Sequence, residues 1–595
     1  MGNLVAVALP GHRAGAEGTV VSDTAERGLA EPGSAEPGQA VPKERKGLAR
    51  WADWLVIAVP AVTAFVVGGY QIGGPSLWRD EAYTRDAITR PVGKIFALLA
   101  HTDAVHGAYY LLLHVVVGLI GTSATALRFP SLCAMVVAAA FTAAIGRRAA
   151  MLAQAPNAAG GRRALVPALT GLLSGLVFAT APFMTYYAQT ARSYAIVTMF
   201  ATIASYLLLR AYPGGGWRWW SAYAVAVALT GLFNVFGLLI LVAHGVTLLL
   251  TASAPAPTPA PAPVGAVRPR SRFGRLPVGW LAASAAAVVV LAPFLRVTYS
   301  QRGQISWLTR PDFETIASLC RDFAGSTDLI AVFGLLALGG VTASCLADGW
   351  RPLNPAAIAL PWLVVPPFLL IAVSFADPVY DERYVEFCLP ALAILVASGL
   401  VGLVRLASRP RLRRTGRPAR AWLPSAGRAW LPSAGRAWLP LAAAAVVALG
   451  IALLLVGPQG AIRQSSQRPD NLRLASAIVA ANERPGDVVF YLPLNARVIG
   501  TGYPAPFRKL RDIAAARSAV ASNTLAGTEI SSPALLASRF TDVQRVWVVS
   551  GQSNGKFPVP YTRVDKEKLA LLANAGLHIL HRWRAGEVLL TLYGH

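Results

Sequence analysis

Two carboxylates, Asp80 and Glu81, stand side by side in the segment WRDEAYTRDA (78–87), directly after an apolar run that ends near residue 72. Ionised groups at such a boundary can be merely solvated. Here the polar stretch continues for about 35 residues and brings His101, Asp103 and His106 above an otherwise apolar chain, which argues for chemistry rather than solvation. A carboxylate can accept the proton of a hydroxyl, and a guanidinium, always charged, can grip a phosphate through two parallel bonds. Arg128, Arg192 and Arg383 each fall at the edge of an apolar run. Any one of them alone could simply snorkel to interfacial water. The four cysteines, Cys133, Cys320, Cys345 and Cys388, show no CxxC or metal-ligand spacing, so neither a disulfide framework nor a structural zinc follows.

The elements that position these residues are read from composition. Hydrophobic residues make up 55% of the 595-residue chain and charged residues only 14%, which excludes one large soluble enzyme. Apolar runs long enough for a hydrocarbon core recur from Trp51 to Val456 and predict an α-helical polytopic membrane protein. Spans are expected at 52–72, 127–146, 164–184, 194–211, 218–234, 235–252, 277–298, 326–346, 356–375, 385–405 and 441–457, about eleven in all. The formal charge of +25 is read as topology and not as nucleic-acid binding, because Lys and Arg collect in cytoplasmic loops. Lys43, Arg45, Lys46 and Arg50 hold the N-terminus in the cytoplasm, and the later basic clusters alternate consistently if the segment 108–121 does not cross. That segment, short for a span and carrying His114, is expected to be re-entrant or interfacial. Asp80, Arg128, Arg192 and Arg383 then converge on the external side.

Three domains are expected: a disordered cytoplasmic tail over 1–50, a transmembrane domain over 51–457 and a small extracytoplasmic α/β domain over 458–595. The transmembrane part carries a first external loop at 73–107 and low-complexity cytoplasmic loops at 253–276 and 406–440. In the second of these, RAWLPSAG repeats too few times for a solenoid. In the last domain, strand-like VVFYL (488–492) and VWVVS (546–550) alternate with helical DNLRLASAIVAAN (470–482) and DKEKLALLANAG (565–576).

The ordered set of motifs resembles the GT-C fold membrane glycosyltransferases, in particular the protein O-mannosyltransferase and aminoarabinose-transferase group. The carriers are Asp80-Glu81 in the first external loop, DAVHGAYYLLLH (103–114) where the family often has His-Pro-Pro-Leu-Tyr-Tyr, and LRFPS (127–131) against Leu-Arg-Leu-Pro-Ser. YYAQTARSYA (186–195) and RYVEFCLPAL (383–392) add the family's short Gln/Glu-x-Arg-x-Tyr segment and its Arg-Tyr before a proline-bearing span. The similarity covers roughly 50–405, and Val105-His106-Gly107 departs from the usual prolines.

The resemblance implies transfer of a sugar, with mannose the expected one, from a polyprenyl-phosphate donor to an extracytoplasmic acceptor, with inversion. Asp80 is then the expected base. Glu81 orients the acceptor or positions Arg79 or Arg85, and the roles of the two acids are open to exchange. Arg128, Arg192, Arg383 and His106 are expected at the donor phosphate. Tyr109, Tyr110, Gln189, Tyr194 and Tyr384, with Gln304 and Trp307 of QRGQISWLTRP (301–311), are expected at the sugar, the acceptor or the lipid. An aromatic belt would explain the tyrosines as well. No cofactor is called for, a divalent cation being left open. The partners are the lipid donor, membrane lipid, and an acceptor protein or envelope glycan, with no nucleic acid. The alternatives are a lipid-linked sugar transporter, which would favour an inverted repeat that the chain does not display, and a non-catalytic envelope assembly protein.

Overall fold

The structure is a computed structural model that describes residues 43–154, 162–212, 214–252, 277–346, 352–407, 439–551 and 562–595. The tail expected up to residue 42, the loop 253–276 and the repeat-bearing loop over 408–438 lie outside the described residues. Helix α1 (Lys43–Gly69) begins inside the stretch expected as tail. Trp51–His595 is one compact unit.

After α1 the chain forms α2 (Arg79–Ile88), α3 (Val92–Leu99) and α4 (Gly107–Ile120), so the loop expected to be external is itself largely helical. The bundle continues with α5 (Ala124–Leu152), α6 (Arg162–Thr180), α7 (Pro182–Ala188), α8 (Tyr194–Ala211), α9 (Trp217–Phe233) and α10 (Leu239–Ala252). It is completed by α11 (Val278–Ser300), α12 (Phe313–Ala324), α13 (Thr327–Leu346), α14 (Pro355–Ser374), α15 (Leu389–Ala407) and α16 (Leu439–Ala461). Among the described residues seven helices are long and apolar enough to cross a membrane, or eight if the bent pair α6–α7 is one span. That pair turns by 61° where Pro182 opens α7, since proline cannot donate to the preceding turn. The other three expected spans are helical too, with apolar runs at the short end of what crosses a bilayer: Asp53–Gly69, Trp217–Phe233 and Ala445–Ala461.

Small residues let these helices meet. A Cβ on Gly340 of α13 would run into Leu395 O of α15, and one on Gly399 into Leu336 O, so the two backbones touch in a manner only glycine permits. Helix α4 is 14 residues long and packs on α2, α3 and α5. His114 of α4 bonds Ile88 O at 2.7 Å, which ties α4 to the end of α2.

The C-terminal region follows α16 with α17 (Leu472–Asn482) and strands β1 (Val488–Leu492), β2 (Ala515–Arg517), β3 (Thr528–Glu529), β4 (Arg545–Ser550), β5 (His578–Ala585) and β6 (Val588–Gly594). Its four-stranded sheet has the order β1-β4-β6-β5, with β1 and β4 parallel and the remaining pairs antiparallel. β1 is buried along its whole length, as its unbroken apolar sequence requires. Apolar side chains fill both faces, one core including Val489, Trp547 and Leu590 and the other Phe490, Val548 and Leu572.

Candidate active site

Helix α2 carries the two acids on different faces, because neighbouring residues on a helix point about 100° apart. Asp80 faces a cavity of about 1770 Å³ that is walled by one end of the bundle and roofed by the C-terminal region. Its Oδ2 accepts from Arg383 Nη1 at 2.9 Å and lies 3.2 Å from Arg192 Nη2. Burial pushes the Asp80 carboxyl up, but the Arg192 and Arg383 guanidiniums outweigh it and hold it below the usual carboxylate range. Arg383 Nη2 also donates to Asp381 at 2.6 Å. Among the described residues Arg192 Nε and Arg383 Nε have no acceptor.

Glu81 points the other way, into the protein. Its carboxylate accepts from Arg128 Nε and Nη2 at 2.7 Å each and from Ala191 N at 2.9 Å, with both side chains of the pair fully buried. Arg128 spends its remaining donors on Ile72 O, Pro75 O and Ser76 O. This corrects two expectations. Glu81 partners neither Arg79 nor Arg85, and Arg128 has no N–H left for a phosphate and is not in the cavity wall. The pair fixes the turn that enters α2, and so aims Asp80.

The remaining expected residues divide in the same manner. His106, Tyr194, Tyr384, Gln304 and Trp307 line the cavity. Tyr194 and Tyr384 have ring centroids 6.3 Å apart, Phe236 stacks on Tyr384 at 4.7 Å, and Arg383 Cζ lies 5.6 Å from the Trp307 ring. Burial, and then the charges of Arg192 and Arg383, depress the His106 imidazole well below its ordinary range, so it brings no positive charge to a phosphate. Tyr110 sits behind the wall, donating to Asp103 Oδ2 at 2.7 Å and accepting from Arg192 Nη1 at 3.4 Å. Tyr109 is buried against Ser131 at 3.3 Å, and Gln189 donates to Gly68 O and Tyr70 O at 2.9 Å. Neither of these two is placed at the cavity; both knit α1, α4, α5 and the α7–α8 turn together.

Asp103, singled out in the first loop without an assigned role, lines the wall, while three cavity residues that carried no signal in the sequence, Asp470, Asn495 and Glu587, come from the C-terminal region. Asp470 accepts from the backbone N and Nη2 of Arg79 at 3.0 Å each, so the roof grips the residue beside Asp80. Leu77 N donates to Tyr503 Oη at 3.1 Å, Ser76 N to Ser465 Oγ at 3.0 Å, and Arg85 to Gly502 O. Ala82 is buried in the core of the C-terminal region itself. Arg468 donates to Thr190 Oγ1 and Gln189 O at 2.9 Å and stacks over Tyr186. The partners of α2 and its entry stand 389 to 426 residues away in the chain, and no local pattern links them. Among the described residues no group of three or more His, Cys, Asp or Glu is arranged to hold a metal ion.

A polytopic helical bundle whose loops at one end and C-terminal α/β region enclose a polar, arginine-lined cavity defines a membrane protein with the GT-C fold. No family model and no curated protein sequence matches the chain. Among solved structures it is similar to ArnT from Cupriavidus metallidurans bound to undecaprenyl phosphate, with a TM-score of 0.50 and 13% identity over 90% of this chain and 97% of that one. Its likeness to the apo state of the same protein has a TM-score of 0.48 and 12% identity, covering 92% of this chain and 98% of that one. The Archaeoglobus fulgidus oligosaccharyltransferase tethered to an acceptor peptide gives a TM-score of 0.40 and 11% identity, covering 84% of this chain and 69% of that one.

Proposed function

We propose that the protein is a membrane glycosyltransferase that moves a sugar, mannose being the expected one, from a polyprenyl-phosphate donor to an extracytoplasmic acceptor hydroxyl with inversion. The observation that carries the reading is Asp80 in the cavity wall between Arg192 and Arg383. The structural likeness to a protein bound to undecaprenyl phosphate supports the donor class.

In this reading the donor phosphate takes the two arginines that Asp80 occupies in its absence, so docking loosens Asp80 and raises its basicity where a base is needed. The acceptor oxygen attacks the anomeric carbon, the bond from that carbon to the phosphate oxygen breaks, and the hydroxyl proton passes to Asp80. The polyprenyl phosphate leaves with its extra negative charge held by Arg192 and Arg383. The arginines supply the neutralising charge, so no metal ion is required. Purified protein supplied with labelled polyprenyl-phosphate mannose should transfer the label. Label in protein would indicate protein O-glycosylation, and label in a lipid or polysaccharide would indicate envelope glycan assembly. Robust transfer from a nucleotide sugar alone would refute the donor.

Arg192→Lys and Arg383→Lys retain charge but lose the planar fork, so the Michaelis constant for the donor should rise about tenfold in each. An unchanged constant in both would return these arginines to interfacial anchoring. For orientation, a reporter after Gly460 should be external and one at Pro255 cytoplasmic, following the alternation of basic loops. Both reporters on one side would overturn the arrangement.

A further inference from the structure

The turn between α3 and α4 is built with more care than a connector needs. Asp103 adopts φ 59°, a left-handed conformation that residues other than glycine, asparagine and aspartate rarely adopt. Two glutamines that follow α11 hold it there: Gln304 Oε1 accepts from Asp103 N at 3.1 Å, and Gln301 Oε1 accepts from Ala104 N at 2.9 Å while its Nε2 donates to Leu99 O. The tight turn closes with His106 N donating to Asp103 O at 2.9 Å, which brings two chemically distinct side chains to one rim of the cavity.

Each of those side chains keeps unspent hydrogen-bonding capacity. Asp103 Oδ2 accepts from Tyr110, and among the described residues no donor reaches its Oδ1. His106 is only 7% exposed, yet its Nδ1 has no partner. A buried polar atom without a partner is costly, and since both residues line the cavity, a ligand held there is the group that could meet them. The phosphate is already provided for by Arg192 and Arg383, and neither a carboxylate nor a neutral imidazole would be chosen to meet another anion. Neighbouring hydroxyls of a sugar ring fit both, one donating to the carboxylate and the next bonding the imidazole nitrogen.

We propose that Asp103 and His106 form the sugar-reading subsite of the cavity, recognising two adjacent free hydroxyls of an uncharged pyranose, while the arginines read only the phosphate. The assignment rests on the glycosyltransferase reading and separates recognition of the sugar from recognition of the lipid.

Binding of polyprenyl phosphate without sugar, and of its mannose- and glucose-bearing forms, to the full-length protein in detergent tests the idea. The variants are Asp103→Asn, which tolerates the left-handed backbone and still accepts from Tyr110, and His106→Gln. Thermal unfolding verifies that both are folded. Whichever sugar-bearing lipid the wild type binds more tightly than bare lipid phosphate should bind about tenfold more weakly in each variant, with affinity for the bare phosphate unchanged. Equal losses for the bare and sugar-bearing lipids would make these residues part of the phosphate site or of the scaffold and would overturn the proposal. No loss in either variant, or a wild type that prefers no sugar-bearing lipid, would overturn it too. A wild type that binds none of the three lipids would instead sink the glycosyltransferase reading on which the proposal stands.

Discussion

Asp80→Asn should abolish turnover while leaving the donor site intact, lowering kcat by about 10²- to 10⁴-fold, the range over which a positioned base contributes. The amide is the same size and can still accept from Arg383, but it cannot take the acceptor's proton. The arginines also lose their resident negative charge, so bare polyprenyl phosphate should bind the variant at least as tightly as it binds the wild type. Single-turnover transfer of labelled sugar together with lipid binding separates the two effects. A variant within tenfold of the wild-type rate would remove Asp80 from the role of base. One that lost rate and lipid affinity alike would make its part structural.

The neighbouring acid should behave in the opposite manner. Arg128→Met leaves Glu81 buried without its partner, and Glu81→Gln leaves Arg128 so, and breaking a fully buried pair costs about 3–5 kcal/mol. Each single variant should therefore unfold at a markedly lower temperature in detergent, and the entry into α2 should loosen because Arg128 also holds Ile72 O, Pro75 O and Ser76 O. Combining Arg128→Met with Glu81→Leu removes both charges and should recover part of the lost stability. If either single variant kept its unfolding temperature and lost only donor affinity, Arg128 would belong to the phosphate site after all.

The contrast between these adjacent residues marks the limit of sequence reading. The apolar runs and basic clusters prescribe the bundle, because a bilayer tolerates few alternatives to helices of about 20 residues. The acid pair, Arg192 and Arg383 stand out because charge at the margin of an apolar run needs a reason. Which acid faces the cavity depends on the rotation of α2 about its axis, and that is set by Arg128, 47 residues away. Gln304 is expected at substrate by residue type, whereas its oxygen, with that of Gln301, clamps the backbone at Asp103 and Ala104. The roof was legible as an α/β fold, from strand and helix patterns that match β1, β4 and α17. Its share in the cavity was not, because a single Asp in a loop looks like any other until the fold brings it to Arg79.

The grip of the roof on α2 has a consequence for biosynthesis. Arg79 leaves the ribosome nearly 400 residues before its partner Asp470, and Glu587 follows more than a hundred residues later still. Throughout that interval the helix bearing Asp80 lacks the groups that cap its entry and the core that buries Ala82. The bundle can be inserted span by span, yet the cavity closes only when the segment carrying Asp470, Asn495 and Glu587 has reached the same side of the membrane and folded. Assembly of the site thus waits on the C-terminal region: a chain stalled before it would occupy the bilayer without having completed its cavity.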